Sequence, residues 1–356
     1  MYVLHDKRNS IMNKNLFKWA VVGAGPAGIA AVVKLIDEGI NAEQILWVDP
    51  EFKVGDLGRH WPNVSSNTTV QRFLDFFDAC KSIKVPTDFP LFTLPKEETC
   101  RLNYMVEPLQ WMTNRLLEQV TSVSGLVDEI HLANKQWHLT SAKNTYCADK
   151  VILAQGASPK YLNHKDIETI PFEVAIDSDK LQEVISKEDT IAVFGSSHSA
   201  IMIVNYLVNL GAKRVINFYQ SPCRYAVNMG DWILFDNTGL KGKTADFARQ
   251  FIDGTLPNNV ERYLSNTENL SQYLPVCNKA IDAVGFETRS SIKAKGYNQL
   301  NHNPHVGIIA PGLFGLGIAY PEIKADPFGQ FEHQVGIWKF MSYITKVMPL
   351  WMKYPG

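Results

Sequence analysis

The chain has 356 residues, 46% of them hydrophobic and 20% charged, with a formal net charge of −1. That length holds two domains, or one large one, around a sizeable core, and near-neutrality removes the electrostatic case for a nucleic-acid or anionic-membrane partner. Apolar runs stay short of the ~18 residues that span a bilayer, so no integral membrane segment is expected.

Five scattered cysteines (Cys80, Cys100, Cys147, Cys223 and Cys277) contain no C-x-x-C. They suit reduced thiols in the cytoplasm rather than a disulfide framework or a redox dithiol. Residues 1–16 are polar and charged. They read as a loose leader without the apolar centre of a signal peptide, with Met12 as an alternative start.

Residues 17–50 read as a β-α-β unit, and WAVVGAGPAG (19–28) is its centre. An apolar run enters a loop with Gly23, Gly25 and Gly28 in G-x-G-x-x-G spacing, and a helical pattern follows. The first glycine allows the tight turn, the second a close approach to a pyrophosphate, the third close helix–strand packing. Free N–H groups at the helix start, in Gly23-Ala24-Gly25-Pro26-Ala27-Gly28, then face the phosphates. ILWVDP ends the next strand with Asp49, followed by Pro50, where a carboxylate can accept from a ribose hydroxyl.

Residues 51–105, rich in Pro, Asn, Ser and aromatics, read as a long irregular excursion. Such a loop is usually functional. Residues 107–120 have helical spacing. LVDEIHLA, QWHLTS and TYCADKVILA read as a three-stranded meander, closing in the glycine turn VILAQGASPK (151–160).

A second β-α-β unit follows: strand 189–195, turn 196–200, helix 201–211, strand 212–220. Its turn, Gly195-Ser196-Ser197-His198-Ser199-Ala200, has Ser197 and Ala200 where glycines would stand, both small enough for close backbone approach. No carboxylate ends the next strand. Arg224, with Lys213 or Arg214, could meet a 2′-phosphate, which favours NADPH with NADH as the alternative. Lys213 suits a solvated surface charge. His198 could touch a phosphate or face solvent.

GLFGLGIAYPE (312–322) reads as strand and turn. A helix with Asp326 as N-cap and Pro327 at its first position is then expected. Its N-terminus would favour negative charge at a flavin edge. The tail reads as a helix packed on the first domain and broken at Pro349, with a membrane surface or partner subunit as the alternative. His302 and His305 lack further ligands and suit a plain loop, so no metal is expected. Cys223 suits a buried thiol. Trp232, Phe235 and Tyr225 are core or pocket aromatics.

Two nucleotide turns flanking a meander point to an α/β chain with two Rossmann-like dinucleotide-binding domains. The expected division is an FAD-binding domain from 17–160 plus 301–356, and an inserted NAD(P)H-binding domain at 161–300 that carries substrate-pocket segments. FAD would be reduced by the nicotinamide.

The order GAGPAG, Leu57-Gly58-Arg59-His60-Trp61, then NVSSNTTVQRFLDF (63–76) resembles the flavin-containing monooxygenases and their N-hydroxylating relatives. The resemblance implies that Asn67, matching an Asn in a T-N-x-S-K-like segment, sits beside flavin and nicotinamide as the catalytic residue, with Trp61 nearby. A turn-capping role is its plainer reading. Ala154-Gln155-Gly156 matches an A-T-G turn, and AVGF (283–286) a later A-T-G-Y element. The segment with Gly317 and Ile318 resembles the monooxygenase ending. The implied substrate is a small N- or S-nucleophile, with a homo-oligomer left open. The family's F-x-G-x-x-x-H fingerprint is missing, with Glu173 at the Gly position and Asp177 at the His position. A reductase or oxidase without oxygenation therefore stays open. So does a flavin-binding sensor or interaction protein with a decayed second site.

Overall fold

A computed structural model describes residues 16–289 and 292–355. The leader and Met12 lie outside them, save Leu16, which opens the first strand. The apolar entry run forms β1 (Leu16–Val22), the glycine loop turns into α1 (Pro26–Asp37), and the apolar run before Asp49 forms β2 (Ile45–Asp49). The Ala/Val/Ile-rich body of α1 is almost wholly buried, as befits a helix clamped between a sheet and another helix.

Residues 51–105 are more regular than expected. They hold α2 (Gly55–His60), β3 (Ser65–Thr69), α3 (Val70–Asp78) and β4 (Thr99–Arg101). Val70, Phe73, Leu74 and Phe77 recur at helical spacing and are buried. Then come α4 (Asn103–Leu117), β5 (Thr121–Ser124) and the meander β6 (Val127–Ala133), β7 (Gln136–Ser141) and β8 (Asn144–Leu153).

A short β9 (Ala157–Pro159) leads to β10 (Glu168–Thr169), α5 (Phe172–Ala175) and α6 (Ser178–Val184). The second β-α-β unit is β11 (Thr190–Phe194), α7 (His198–Asn209) and β12 (Arg214–Tyr219). After it stand the hairpin β13 (Val227–Asn228) and β14 (Ile233–Leu234), then α8 (Gly242–Phe247), β15 (Val260–Leu264), α9 (Thr267–Tyr273) and β16 (Lys279–Asp282). β17 (Phe286–Thr288) pairs with β9, so the chain's two crossings between sheets form one antiparallel ribbon.

β18 (Lys293–Ala294) rejoins the first sheet beside β6. The chain closes with β19 (Ile308–Ala310), β20 (Leu313–Gly315), the hairpin β21 (Glu322–Ala325) and β22 (Phe331–Gln334), and α10 (Ile337–Lys353). The first sheet runs β18-β6-β7-β8-β1-β2-β5, with β20 also on β8. The second runs β10-β16-β11-β12-β15 and is parallel throughout. No helix among the described residues is long and apolar enough to cross a membrane.

Two expectations at the C-terminal end are corrected. Asp326 does not cap a helix. Its Oδ1 accepts from the Phe328 and Gln330 N–H groups at 2.8 and 2.9 Å, closing the β21–β22 hairpin. The helix begins at Ile337, so its N-terminal dipole lies eleven residues beyond Asp326. Nor does Pro349 break α10, which runs to Lys353. Lys150 Nζ donates to the Trp351 and Met352 carbonyls at 2.8 Å, satisfying the helix end. The tail packs on α1 and α3, as its packed-helix reading expects.

Candidate functional site

The first glycine loop is held by backbone alone. Gly23 has φ +107°, and a Cβ there would lie 2.3 Å from the Ala154 carbonyl oxygen. A Cβ on Gly28 would lie 1.9 Å from the Gly23 oxygen. A Cβ on Gly25 instead meets only the Gly55 Cα, at 4.0 Å. Gly25 N-caps α1 without a side-chain bond, and Pro26 stands at N1. The Ala27 and Gly28 N–H groups therefore face outward without intrahelical partners. Gly317 (φ +88°) comes within a Cβ's reach of the Ala27 side chain, so the C-terminal segment borders the same loop. Ile318 follows it.

Asp49 is buried, with three backbone donors: Ala24 N on Oδ2 at 2.8 Å, and Glu51 N and Phe52 N on Oδ1 at 2.9 and 2.7 Å. Of the roughly four acceptor positions of a carboxylate, one remains for a hydroxyl. Pro50 is exposed beside it.

Buried polar atoms without partners tend to mark a missing ligand or water. Among the described residues they include Trp61 Nε1, Gln155 Oε1 and His198 Nδ1, all three in the sequence-predicted set. Trp61 meets Phe286 edge-on at 5.9 Å. Gln155 donates to the Tyr320 hydroxyl at 2.8 Å beside Ala154 and Gly156. Gly23 and Gly28, which admit no side chain, and the orphaned Gln155 oxygen beside Ala154 fit a dinucleotide at the first loop.

The second loop is built alike. Gly195 has φ +126°, and a Cβ there would meet the Ala283 oxygen at 2.5 Å. Ser197 N-caps α7 without a side-chain bond, with Ser196 and Ser199 flanking it. Asn217 donates to the Gly195 oxygen at 2.8 Å, and Arg262 Nε donates to Asn217 Oδ1 at 2.9 Å. Arg262 also stacks on Tyr219 at 4.4 Å. Arg224 lies over the Phe235 ring at 5.3 Å. Arg214 is bound to Glu261 through two bonds, and Lys213 pairs with Glu188 at the exposed surface.

His198 is pushed down to about 4 by burial, with Lys241 adding repulsion. Its ring is neutral at physiological pH. The unfolded chain takes up this proton near 6.5, well before the folded one. Stability contributed by the neutral ring is therefore intact above about pH 6.5 and is lost as pH falls towards about 4. His198→Gln should flatten the acid limb of the melting-temperature profile between these values. A wild-type slope in the variant would show that another group sets it.

Asn67 stands within β3, and its Oδ1 accepts from Thr68 Oγ1 at 3.3 Å. The local turn is made by Ser66, whose Oγ bonds the Thr68 oxygen at 2.6 Å; Asn67 is not the capping residue. It lines a cavity of about 1060 Å³ with residues 228–241 and 322–342, among them Trp232, Lys241, Glu332 and Lys339. A second cavity, of about 680 Å³, is lined by Ile318, Tyr320 and His302. His302 hydrogen-bonds the Pro321 oxygen, and no metal-holding group occurs among the described residues.

A model for the pyridine nucleotide-disulphide oxidoreductases matches residues 17–238. The chain belongs to this family. It is an FAD-dependent oxidoreductase with Rossmann-like domains. The monooxygenase AgnR1 of Paecilomyces divaricatus is 32% identical over 381 residues, covering 93% of this chain and 97% of that protein. The ornithine N-hydroxylase of Kutzneria sp. 744 shares the fold at TM-score 0.65 and 11% identity, over 95% of this chain and 99% of that one. The bacillithiol disulfide reductase of Staphylococcus aureus shares it at 0.59 and 13%, over 94% and 99%.

The disulphide chemistry in the family's name needs a thiolate nucleophile. In this family member all five cysteines are free, and burial pushes every thiol up, Cys80 to about 12. Asp177 lacks an imidazole's chemistry at the fingerprint position. It is buried, N-caps α6 through Asp179 and Lys180, and accepts from Asn63 Nδ2 at 3.3 Å. Sequence reading missed Arg262 and Asn217. Both lie mid-strand, where only the pairing of β11, β12 and β15 brings them to the loop.

Proposed function

We propose that this oxidoreductase is an NADPH-using monooxygenase acting on a small N- or S-nucleophile, in a cytoplasmic setting that its free thiols support. Residues 17–160 and 301–356 would hold FAD, and 161–300 NADPH. The observation that carries the reading is the cavity at Asn67, where three separate chain segments meet around about 1060 Å³, enough for a nicotinamide and a small substrate together. The thiols, all protonated at neutral pH, favour an acceptor in that cavity over a protein dithiol. The monooxygenase at 32% identity supports the same choice.

When bound, the flavin supplies hydride acceptance and electron transfer to oxygen. The chain supplies position. Ala27 and Gly28 N–H groups receive the FAD diphosphate and Asp49 a ribose hydroxyl. Gly195 to Ser199 receive the NADPH diphosphate, and Arg224 its 2′-phosphate. The Asn67 amide donates to the reacting groups. Trp232 and Trp338, which line the cavity, help exclude water. A reductase or oxidase without oxygenated product is the second reading, favoured by Asp177 in place of the fingerprint imidazole.

Anaerobic mixing with NADPH should bleach the flavin. Admission of oxygen with a panel of amines and sulfides should then give a product one oxygen heavier by mass spectrometry. Bleaching with peroxide alone selects the second reading. Asn67→Ala should bleach normally but yield roughly tenfold less product per NADPH, the loss of about one hydrogen bond. Unchanged yield would remove Asn67 from the reaction.

A further inference from the structure

The diphosphate cradle contains a cation that comes from a distant part of the chain. Phe52 and Val54 hold left-handed φ values of +53° and +58°, a cost accepted in few places. The result is that Gly55 lies against Gly25, where a Cβ added to Gly55 would stand 3.0 Å from the Gly25 Cα. Asp56 follows. Its Oδ1 accepts from Arg59 at 2.6 Å, and its Oδ2 accepts from Arg289 Nη2. Arg289 stands just after β17 and reaches back 233 positions in sequence.

The same guanidinium donates through Nε to Ser158 Oγ at 3.2 Å and through Nη1 to the Gln155 oxygen at 3.4 Å. A Cβ on Gly156 would lie 3.8 Å from Nη1. Arg289 is thus fixed among the start of α2 and the AQGA turn, the two segments that abut Gly25 and Gly23. A guanidinium has five N–H donors, and these bonds occupy three of them. The side chain is 31% exposed, so the free donors have an open side.

Charge explains why a cation is needed here. Asp49, Glu51 and Asp56 place three carboxylates around the loop. Arg59 and an outlying Lys53, 68% exposed, are the nearby cations on the same segment. Two phosphates arriving beside that set would meet net negative charge. We propose that Arg289 engages the FAD diphosphate, making it a cofactor-binding residue delivered by the strand that returns from the second sheet. Cofactor affinity then depends on the β9–β17 ribbon being docked on the first loop. The inference rests on the FAD reading of that loop.

The test strips flavin from the purified protein and titrates the apoprotein with FAD at low and moderate salt, for wild type, Arg289→Met and Arg289→Lys. A charge-assisted bond of this kind corresponds to a roughly ten- to hundredfold change in Kd. We expect that loss in Arg289→Met, with a flatter salt dependence, partial recovery in Arg289→Lys, and an apoprotein melting temperature within about 2 °C of wild type. An FAD Kd within twofold of wild type overturns the proposal. So does an FAD loss matched by a fall in apoprotein melting temperature without recovery by lysine, which would make Arg289 a packing residue only. Failure of the wild-type apoprotein to take up FAD overturns the cofactor reading and this proposal with it.

Discussion

Gly28→Ala is expected to lower the melting temperature by roughly 6–12 °C and to abolish flavin uptake. The added methyl would sit 1.9 Å from the Gly23 carbonyl oxygen. Both partners are backbone, so no side-chain rotation relieves the overlap. Either α1 slides off β1 or the loop opens. Overpacking of this kind costs about 3 kcal/mol or more, and each kcal/mol moves a domain of this size by about 2–4 °C. Gly25→Ala is the contrasting case. Its methyl meets only the Gly55 Cα at 4.0 Å, and its φ of −74° suits any residue. The variant should melt within about 2 °C of wild type and still bind FAD at least tenfold more weakly, because the methyl occupies the open side of the loop. Thermal melts paired with FAD titration separate the two. Equal losses of stability in both variants would mean that the open side is not a ligand face.

Trp351→Ala is expected to cost about 3–5 kcal/mol. The indole is fully buried, stacks on Phe314 at 4.7 Å and donates to the Val306 oxygen at 2.6 Å. Gly307 is glycine because a Cβ there would lie 2.5 Å from this ring. The loss reaches the cofactor loop, because α10 packs on α1. Flavin retention should therefore fall together with the melting temperature. Trp351→Phe keeps the stacking and loses only the indole N–H, so its cost should be nearer 1 kcal/mol. A melting temperature within 2 °C of wild type for the alanine variant would mean that the tail does not support α1.

Both glycine turns, the meander and the second β-α-β unit were legible because each rests on local chemistry, glycine spacing and period-two or helical alternation. The Asp326-Pro327 error shows the limit of that logic. An Asp oxygen accepting two backbone N–H groups caps a helix or closes a hairpin with the same bonds, and Gly329 allowed the hairpin. α3 carried its helical spacing openly, but lay inside a polar, proline-rich stretch that suggested a loop. Arg289, Arg262 and Asn217 gave no local signal. Their places depend on strand pairing across tens to hundreds of residues, and no motif spacing encodes that. Asp177 shows the reverse. Its departure from the fingerprint was visible in sequence, and its capping of α6 and bond to Asn63 became visible only in the fold.

The order in which the ribosome releases these elements sets a demand on the cell. α1 ends at Asp37 and its partner α10 begins only at Ile337, 300 residues later. At roughly 5–20 residues per second, about 15–60 s pass between them. During that interval the part of α1 that packs on α10 and the edge of β8 that takes β20 lack their native cover. The nascent first sheet should therefore be a chaperone client until α10 has emerged, while the second sheet, continuous in sequence, can close before then.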